Sequence, residues 1–405
     1  MPPKKKTKAA NGDGSIVARK LKDGTTVYDV WISYKDRETG QTKRKPFYGI
    51  KTYEEAQKKR REATAAVDAR TFVNPSEQPL SDYLTAFLDT HRVKAQTLAG
   101  YRKWVTLHIN PHIGHIKLSK LTTRHLSDLY RKLEREGSPK GKGPLKPSSV
   151  LHVHNTVSRA LKQAVTDGLL ASNPATTAIR PSAAEAAAPE FAVLTAAEVS
   201  RFLNQEKGKR EYAIWHFFFT TGVRRGEALG LRWSDIDFEA GTAGTAVIRQ
   251  TVGVIRGKIV RETLPKSNKP RVIDLDAKTR EVLKAYRKAQ AVERLALGDR
   301  WVDEDLVFAR DGFRLGPNQK AGGPRHPDRL ARLFDRRLAK AKVPDVRLHD
   351  VRHTWATLAL KNGVPVKVVQ ERLGHANPTI TFNIYTHALP GMQHAAAEQV
   401  ASLIA

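Results

Sequence analysis

Hydrophobic and polar positions change period along the chain, and each change marks a different kind of element. Between Ser15 and Ile50 the apolar residues alternate, in part, along SIVARKL and TTVYDVWISY, which flank Asp23-Gly24. Alternation around such a dipeptide predicts a β-hairpin, and RKPFYGI can supply a third strand. Thr52 followed by Glu55 is a capping box that opens a charged helix running to about Arg70. Residues 71–79, TFVNPSEQP, read as a linker. From Leu80 to about Ala178 the period becomes helical. Val150, Val153, Val157, Leu161, Ala164 and Val165 recur at spacings of three and four, one apolar stripe closed by Gly168 and Asn173-Pro174. Four or so helices fit this stretch. PSAAEAAAPE (181–190) is a second linker, of low complexity.

The remainder, 191–405, opens on another capping box, Thr195 to Glu198, and then mixes periods. VIRQT and PRVIDL read as strands; 278–296, 327–341, 349–362, 365–373 and 379–388 read as helices. The predicted plan is therefore multidomain α+β. A three-stranded sheet with one helix (1–70) and a linker (71–79) precede a helical domain (80–180). A second linker (181–190) then leads to a mainly α domain with a small antiparallel sheet (191–405). No internal repeat is visible.

Composition narrows what such a chain can do. Its 405 residues are enough for two or three domains at about 150 residues each. With no cysteine, a disulfide scaffold, a Cys-ligated zinc site, an iron–sulfur cluster and thiol catalysis are excluded. The longest apolar stretches, such as AIWHFFF, fall far short of the roughly 20 residues a membrane span needs. The Lys-rich start has no apolar segment behind it, so a cytoplasmic protein without a secretory signal is expected. The formal charge is +29, from 70 Lys and Arg against 41 Asp and Glu. It is spread along the chain: +9 over residues 1–70, +9 over 71–180 and +11 over 181–405. A single basic tail does not account for this. Contacts to phosphates along the whole length do.

Four segments of the last domain concentrate polar groups. In TGVRRGEALGLRWSDID (221–237) a glycine turn presents Arg224 just before an apolar helix containing Glu227. LPKSNKPRVIDL (264–275) places Lys266 in a turn between two strands. LHDVRHTWATLAL (348–360) puts His349 and Arg352 on one helical face at i, i+3. LGHANPTITFNIYTH (373–387) holds His375 and, ten residues later, Tyr385.

Taken together these segments resemble the signature boxes of the tyrosine recombinases, the lambda-type phage integrases. The first is close to that family's TGLRRGE-LRWSDID pattern, HDVRHT is nearly its HDLRHT, and LGH keeps the family's order and spacing to the tyrosine. The β-rich start is similar to integrase arm-DNA-binding domains, and 80–178 to their helical, SAM-like core-binding domains. The resemblance implies that Arg224, Lys266, His349, Arg352, His375 and Tyr385 occupy catalytic positions, with Glu227 as a supporting acidic residue. It further implies double-stranded DNA as substrate and a homotetramer assembled on it. An excisionase and a host DNA-bending protein are the expected helpers. No cofactor or metal is expected, and the C-terminal tail (390–405) would dock on a neighbouring protomer.

The implied chemistry suits these residue types. Transesterification at a DNA phosphate adds negative charge in a crowded five-coordinate transition state, which two permanently charged, bidentate guanidiniums can meet; Arg224 and Arg352 are the candidates. Tyrosine can attack and stay attached without water. Its free pKa near 10 leaves only about a thousandth ionised at neutral pH, so nearby positive charge or a proton acceptor must help. His349 is the candidate acceptor, His375 the candidate donor to a phosphate oxygen, and Lys266 the general acid for the leaving 5′-hydroxyl. The guanidiniums fill the place a divalent cation would otherwise take.

Simpler readings bear on several of these residues. Arg225 could replace Arg224, and Lys269 lies three residues from Lys266 in the same turn. His349 and His353, at i, i+4, have a zinc-binding spacing, but Arg352 lies between them. His108, His112 and His115 cluster, with Pro111 and Gly114 between them, which predicts a loop joining helices. His152 and His154 point to different faces of a helix, and Tyr101, Tyr212 and Tyr286 read as structural. A non-catalytic DNA-binding protein of the same fold and a type IB topoisomerase-like enzyme or nuclease are the rival functions. An Xer-type resolvase is the nearest alternative, against which residues 1–70 count as an added arm-binding module.

Overall fold

The computed structural model describes residues 14–35, 40–68, 77–138, 143–187, 191–262, 270–313, 315, 320–374 and 401–402. Chain contacts divide it into two compact units, Met1–Ala188 and Pro189–Ala405.

The first unit begins with an antiparallel sheet in the order β1 (Ser15–Lys20), β2 (Thr26–Lys35), β3 (Thr42–Ile50). Asp23 turns the first hairpin by accepting the Thr25 backbone N–H at 3.0 Å, with Gly24 at φ +84°. The alternation along β2 slips at Asp29, and the structure shows why. Tyr28 pairs with Ile50 but Val30 pairs with Phe47, so Tyr48 and Gly49 bulge out opposite Asp29. Buried Asp29 accepts the Gly49 N–H at 2.9 Å and Arg19 Nε at 3.1 Å, which satisfies it. Helix α1 (Tyr53–Asp68) starts where Thr52 Oγ1 accepts the Glu55 N–H and lays Ala56 and Ala63 on Val30 and Ile32.

Helices α2 (Leu80–Thr90), α3 (Ala95–Trp104), α4 (Asn110–Ile113), α5 (Thr123–Arg135) and α6 (Pro147–Thr166) form a separate core. In α6, Val150, Val153, Val157, Leu161 and Ala164 are fully buried, whereas Val165, at the edge of the stripe, is half-buried. The loop expected at 108–115 is confined to its last two residues, Gly114 and His115. Val105–Ile109 is a π-helical turn that carries the chain directly from α3 into α4. The Asn110 N–H reaches back five residues to the Val105 carbonyl, and this widened turn accommodates Pro111, which can neither donate nor tolerate the tight i−4 carbonyl. Buried Val105, Ile109 and Ile113, at i, i+4, i+8, hold it on the core. His108 is buried inside that turn and His154 bonds the Tyr130 hydroxyl at 3.1 Å, so both belong to the core.

In the second unit α7 (Ala196–Glu206) begins on the expected box: Thr195 Oγ1 accepts the Glu198 N–H, and Glu198 accepts that of Thr195. Helix α8 (Tyr212–Thr221) is buried nearly all round, and its Trp215 packs with Phe202 and Phe334. Short α9 (Arg225–Gly230) follows. A sheet of β4 (Ile236–Asp237), β5 (Thr245–Ile248) and β8 (Arg271–Asp274) then flanks a hairpin of β6 (Thr251–Ile255) and β7 (Lys258–Glu262). VIRQT is thus not one strand: it spans the end of β5 and the first residue of β6. Between them the Gln250 side chain leaves to donate to the Gly230 carbonyl at 2.5 Å. Helices α10 (Ala277–Leu297), α11 (Pro327–Ala341), α12 (Asp350–Lys361) and α13 (Val366–Leu373) complete the unit. The helix expected at 379–388 lies outside the described residues. Among the described residues no helix is long and apolar enough to cross a membrane.

Candidate active site

The site grows from the end of α8. Gly222 adopts φ +65°, and a Cβ there would stand 2.9 Å from Leu373 and 3.0 Å from Trp355, so the turn needs glycine on both counts. After buried Val223 the chain is extended at Arg224, which caps α9. The Arg224 backbone N–H donates to Glu227 Oε2 at 2.9 Å and its Nη1 to Oε1 at 2.8 Å. Glu227, 2% exposed, also receives a fork from Arg271 of β8: Nη1 to Oε1 at 2.9 Å and Nη2 to Oε2 at 2.6 Å. Burial alone would raise its pKa, but the bonds and charge of Arg271, then Arg224, hold it down to about 2.

Arg352 arrives from α12. It is 3% exposed and donates to the Gly222 carbonyl at 3.0 Å and the Leu373 carbonyl at 2.5 Å. Arg224 Nη2 reaches the next carbonyl, Gly374, at 3.3 Å. Two arginines distant in sequence therefore meet at consecutive peptide groups where α13 ends. Thr220 closes the same corner, its carbonyl accepting Trp355 Nε1 at 3.0 Å and Arg372 Nη2 at 3.3 Å.

His349 lies at the start of α12, exposed, with its ring edge-on to His353 at 5.5 Å. Protein packed around the ring, and then the Arg352 guanidinium, push its pKa below the ordinary imidazole value, which favours the neutral, proton-accepting form. His353 stacks on Phe191 at 4.2 Å, and its pKa falls to about 4 through burial first and His349 second. Asp350 is buried, and Arg347 anchors it through both oxygens at 2.8 Å. Among the described residues no three His, Asp or Glu side chains gather as metal ligands.

Arg224, Glu227, His349 and Arg352 thus fall within one short run of contacts around residues 220–227, 349–353 and 372–374. Arg225 turns elsewhere: it donates to the Pro327 carbonyl and pairs with Asp328, both at 3.2 Å. Lys266, its alternative Lys269, His375 and Tyr385 lie outside the described residues. The segment 263–269 is flanked by β7 and β8, and 375 follows Gly374 directly. Sequence reasoning missed Arg271. Its only signal was its place in PRVIDL, five residues after Lys266, in a chain with many other basic residues.

Comparison with known proteins fits this geometry. Residues 192–391 match the phage integrase family, and residues 80–133 match the N-terminal SAM-like domain of phage integrases. A tyrosine recombinase XerC-like protein of Caldanaerobacter subterraneus subsp. tengcongensis is 30% identical over 95% of this chain and 98% of its own length. The fold is similar to that of the Tn1549 transposon integrase in complex with transposon right-end DNA (TM-score 0.62, 19% identity, 80% of this chain and 100% of that one). It is also similar to a lambda integrase tetramer bound to a Holliday junction (TM-score 0.52, 17% identity, 93% and 96%).

Proposed function

This chain belongs to the phage integrase family, the tyrosine recombinases, and on that premise we propose a specific division of labour among its residues in site-specific DNA recombination. Tyr385 attacks the scissile phosphate and forms a 3′-phosphotyrosine. Arg224 and Arg352 bind the two non-bridging oxygens, where negative charge grows. His349 accepts a proton, His375 donates a hydrogen bond to the phosphate, and Lys266 protonates the leaving 5′-hydroxyl. Glu227 orients Arg224. Because the phosphotyrosine keeps the bond energy, a second 5′-hydroxyl reseals it, with neither ATP nor metal.

One observation carries the reading: Arg224 and Arg352 converge on the adjacent carbonyls of Gly374 and Leu373, immediately before His375. In the free protein these carbonyls occupy donors that a phosphate would take over. We assign residues 1–70 to arm-type sites, 80–180 and 191–405 to the crossover site, and 71–79 and 181–190 to linkers. The protein works on double-stranded DNA in the host cytoplasm, as a homotetramer, and integrates a phage or other mobile element. An excisionase and a host DNA-bending protein would set direction. The name of the XerC-like relative does not set this chain apart from integrases, since an alignment over 95% of the chain must include most of residues 1–70.

The test is joining of two defined duplex sites, taken from the DNA flanking the gene, in EDTA. Wild type should join them and Tyr385→Phe should bind both yet join neither. Loss of joining in EDTA, or full activity of Tyr385→Phe, would contradict the reading.

A further inference from the structure

Glu227 is saturated. A carboxylate offers about four acceptor positions, and here all four are used, two by Arg271, one by the Arg224 backbone and one by the Arg224 side chain. The fork belongs to Arg271. Arg224 therefore holds Glu227 through one side-chain nitrogen, although a guanidinium and a carboxylate left to themselves prefer the two-bond fork.

We propose that Arg271 is a positioning residue for strand cleavage: by filling the second side of Glu227 it keeps Arg224 from closing onto that carboxylate and leaves its guanidinium for the scissile phosphate. This rests on the reading of Arg224 as a phosphate ligand given above. Without Arg271, both oxygens of Glu227 regain an open position. Arg224 then rotates into the bidentate pair, where its charge is neutralised and its donors are spent.

The surroundings of Arg271 fit this task. It is a half-buried arginine, its side chain 11% exposed, on an edge of the small sheet. Its Nε donates to the Arg372 carbonyl at 3.0 Å, so the same guanidinium also holds the end of α13. Gly374, at φ +66°, passes so close that a Cβ there would lie 3.1 Å from Arg271 Cδ and 3.2 Å from its Nε. Its strand begins two residues after the segment that holds Lys266. One side chain thus joins the box of Arg224, the strand beyond Lys266 and the turn that leads to His375. Lysine would not substitute, because a point charge cannot occupy both oxygens in one plane.

The experiment is single-turnover cleavage of a nicked suicide duplex by wild type, Arg271→Gln, Glu227→Gln and the double variant, with DNA binding and thermal unfolding followed in parallel. Arg271→Gln should cleave on the order of 10²-fold more slowly, the cost of a lost transition-state donor, while binding DNA within a few-fold of wild type. Glu227→Gln, which cannot capture Arg224 as an ion pair, should lose about tenfold, an interaction of about 1.4 kcal/mol. The double variant should return to within a few-fold of Glu227→Gln, and so be faster than Arg271→Gln. A purely structural Arg271 predicts a double variant as slow as Arg271→Gln or slower, and that result overturns the proposal; so does an Arg271→Gln that cleaves like wild type. If Arg271→Gln does not fold, Arg271→Lys gives the same comparison, with a smaller loss and the same rescue by Glu227→Gln. A wild type that forms no Tyr385 adduct overturns the function proposed above and this inference with it. An adduct in wild type without rescue overturns only the role of Arg271.

Discussion

Two buried glutamates in the same unit, Glu206 and Glu227, are each paired with two cations but differ in how completely they are bonded. Glu206, fully buried at the end of α7, takes Lys209 at 2.7 Å on one oxygen. Arg337 of α11 lies 3.5 Å from the other oxygen, which has no hydrogen-bond partner among the described residues. Glu227 accepts four bonds, each 2.9 Å or shorter. The cations of Glu206 fasten two helices, and a loose fit suffices for that. Under the role proposed above, those of Glu227 present a guanidinium at a fixed angle, and every acceptor position is used to do it. Burial and charge are alike in the two places; hydrogen-bond saturation separates a packing contact from a site prepared for chemistry.

Removing a donor on each side should separate the two glutamates most clearly. Arg352→Ala should lower the cleavage rate by about 10²- to 10³-fold with DNA binding kept, the cost typical of one transition-state donor. Arg337→Ala, measured in the same assay, should leave the rate of the bound complex unchanged. Equal losses would erase the distinction.

Replacing the carboxylates comes next. Glu227→Gln uncouples a buried carboxylate from two half-buried arginines and should cost about 3–5 kcal/mol of unfolding free energy. Glu206→Gln, where one carboxylate oxygen has no hydrogen bond to lose among the described residues, should cost about 1–3 kcal/mol. Denaturant titrations compare them directly, and only the first should also slow cleavage.

Acid sharpens the contrast further. The pKa of Glu227 is near 2 in the folded protein against an ordinary value of 4.5. Its contribution to stability is therefore complete above about pH 4.5 and is lost as pH falls toward 2. Unfolding curves across that window should be less steep with pH in Glu227→Gln than in wild type. His353 gives the smallest effect. With a folded pKa near 4, below its ordinary 6.5, it favours the unfolded chain increasingly as pH falls from about 6.5 toward 4. His353→Phe, which keeps the stack on Phe191, should flatten the pH dependence of the unfolding midpoint in that range.

How much of this was legible in the sequence follows from how local each signal is. The Thr52 cap, the Thr195 capping box and the α6 stripe depend on residues within a turn or two of each other, and they appear where the pattern puts them, the first through the Thr52 hydroxyl alone. The π-helical turn before Pro111 was not legible, because its buried Val105, Ile109 and Ile113 outweigh a local rule that proline and glycine should enforce. The β6–β7 hairpin was also missed. It turns at Arg256-Gly257, with φ +49° and +76°, and arginine is a rare occupant of that conformation. In the site, Arg224, Glu227, His349 and Arg352 were readable from short motifs. Arg271 was not, because only the sheet sets it beside a carboxylate 44 residues earlier.

If this arginine cluster serves a tyrosine nucleophile, the protein becomes covalently attached to the DNA it cuts. The direct measurement incubates the protein with a nicked suicide duplex carrying the candidate crossover site and maps any covalent adduct by peptide mass spectrometry. A 3′-phosphotyrosine at Tyr385 is expected, present in wild type and absent in Tyr385→Phe. An adduct at any other residue, or cleavage without an adduct, would contradict it.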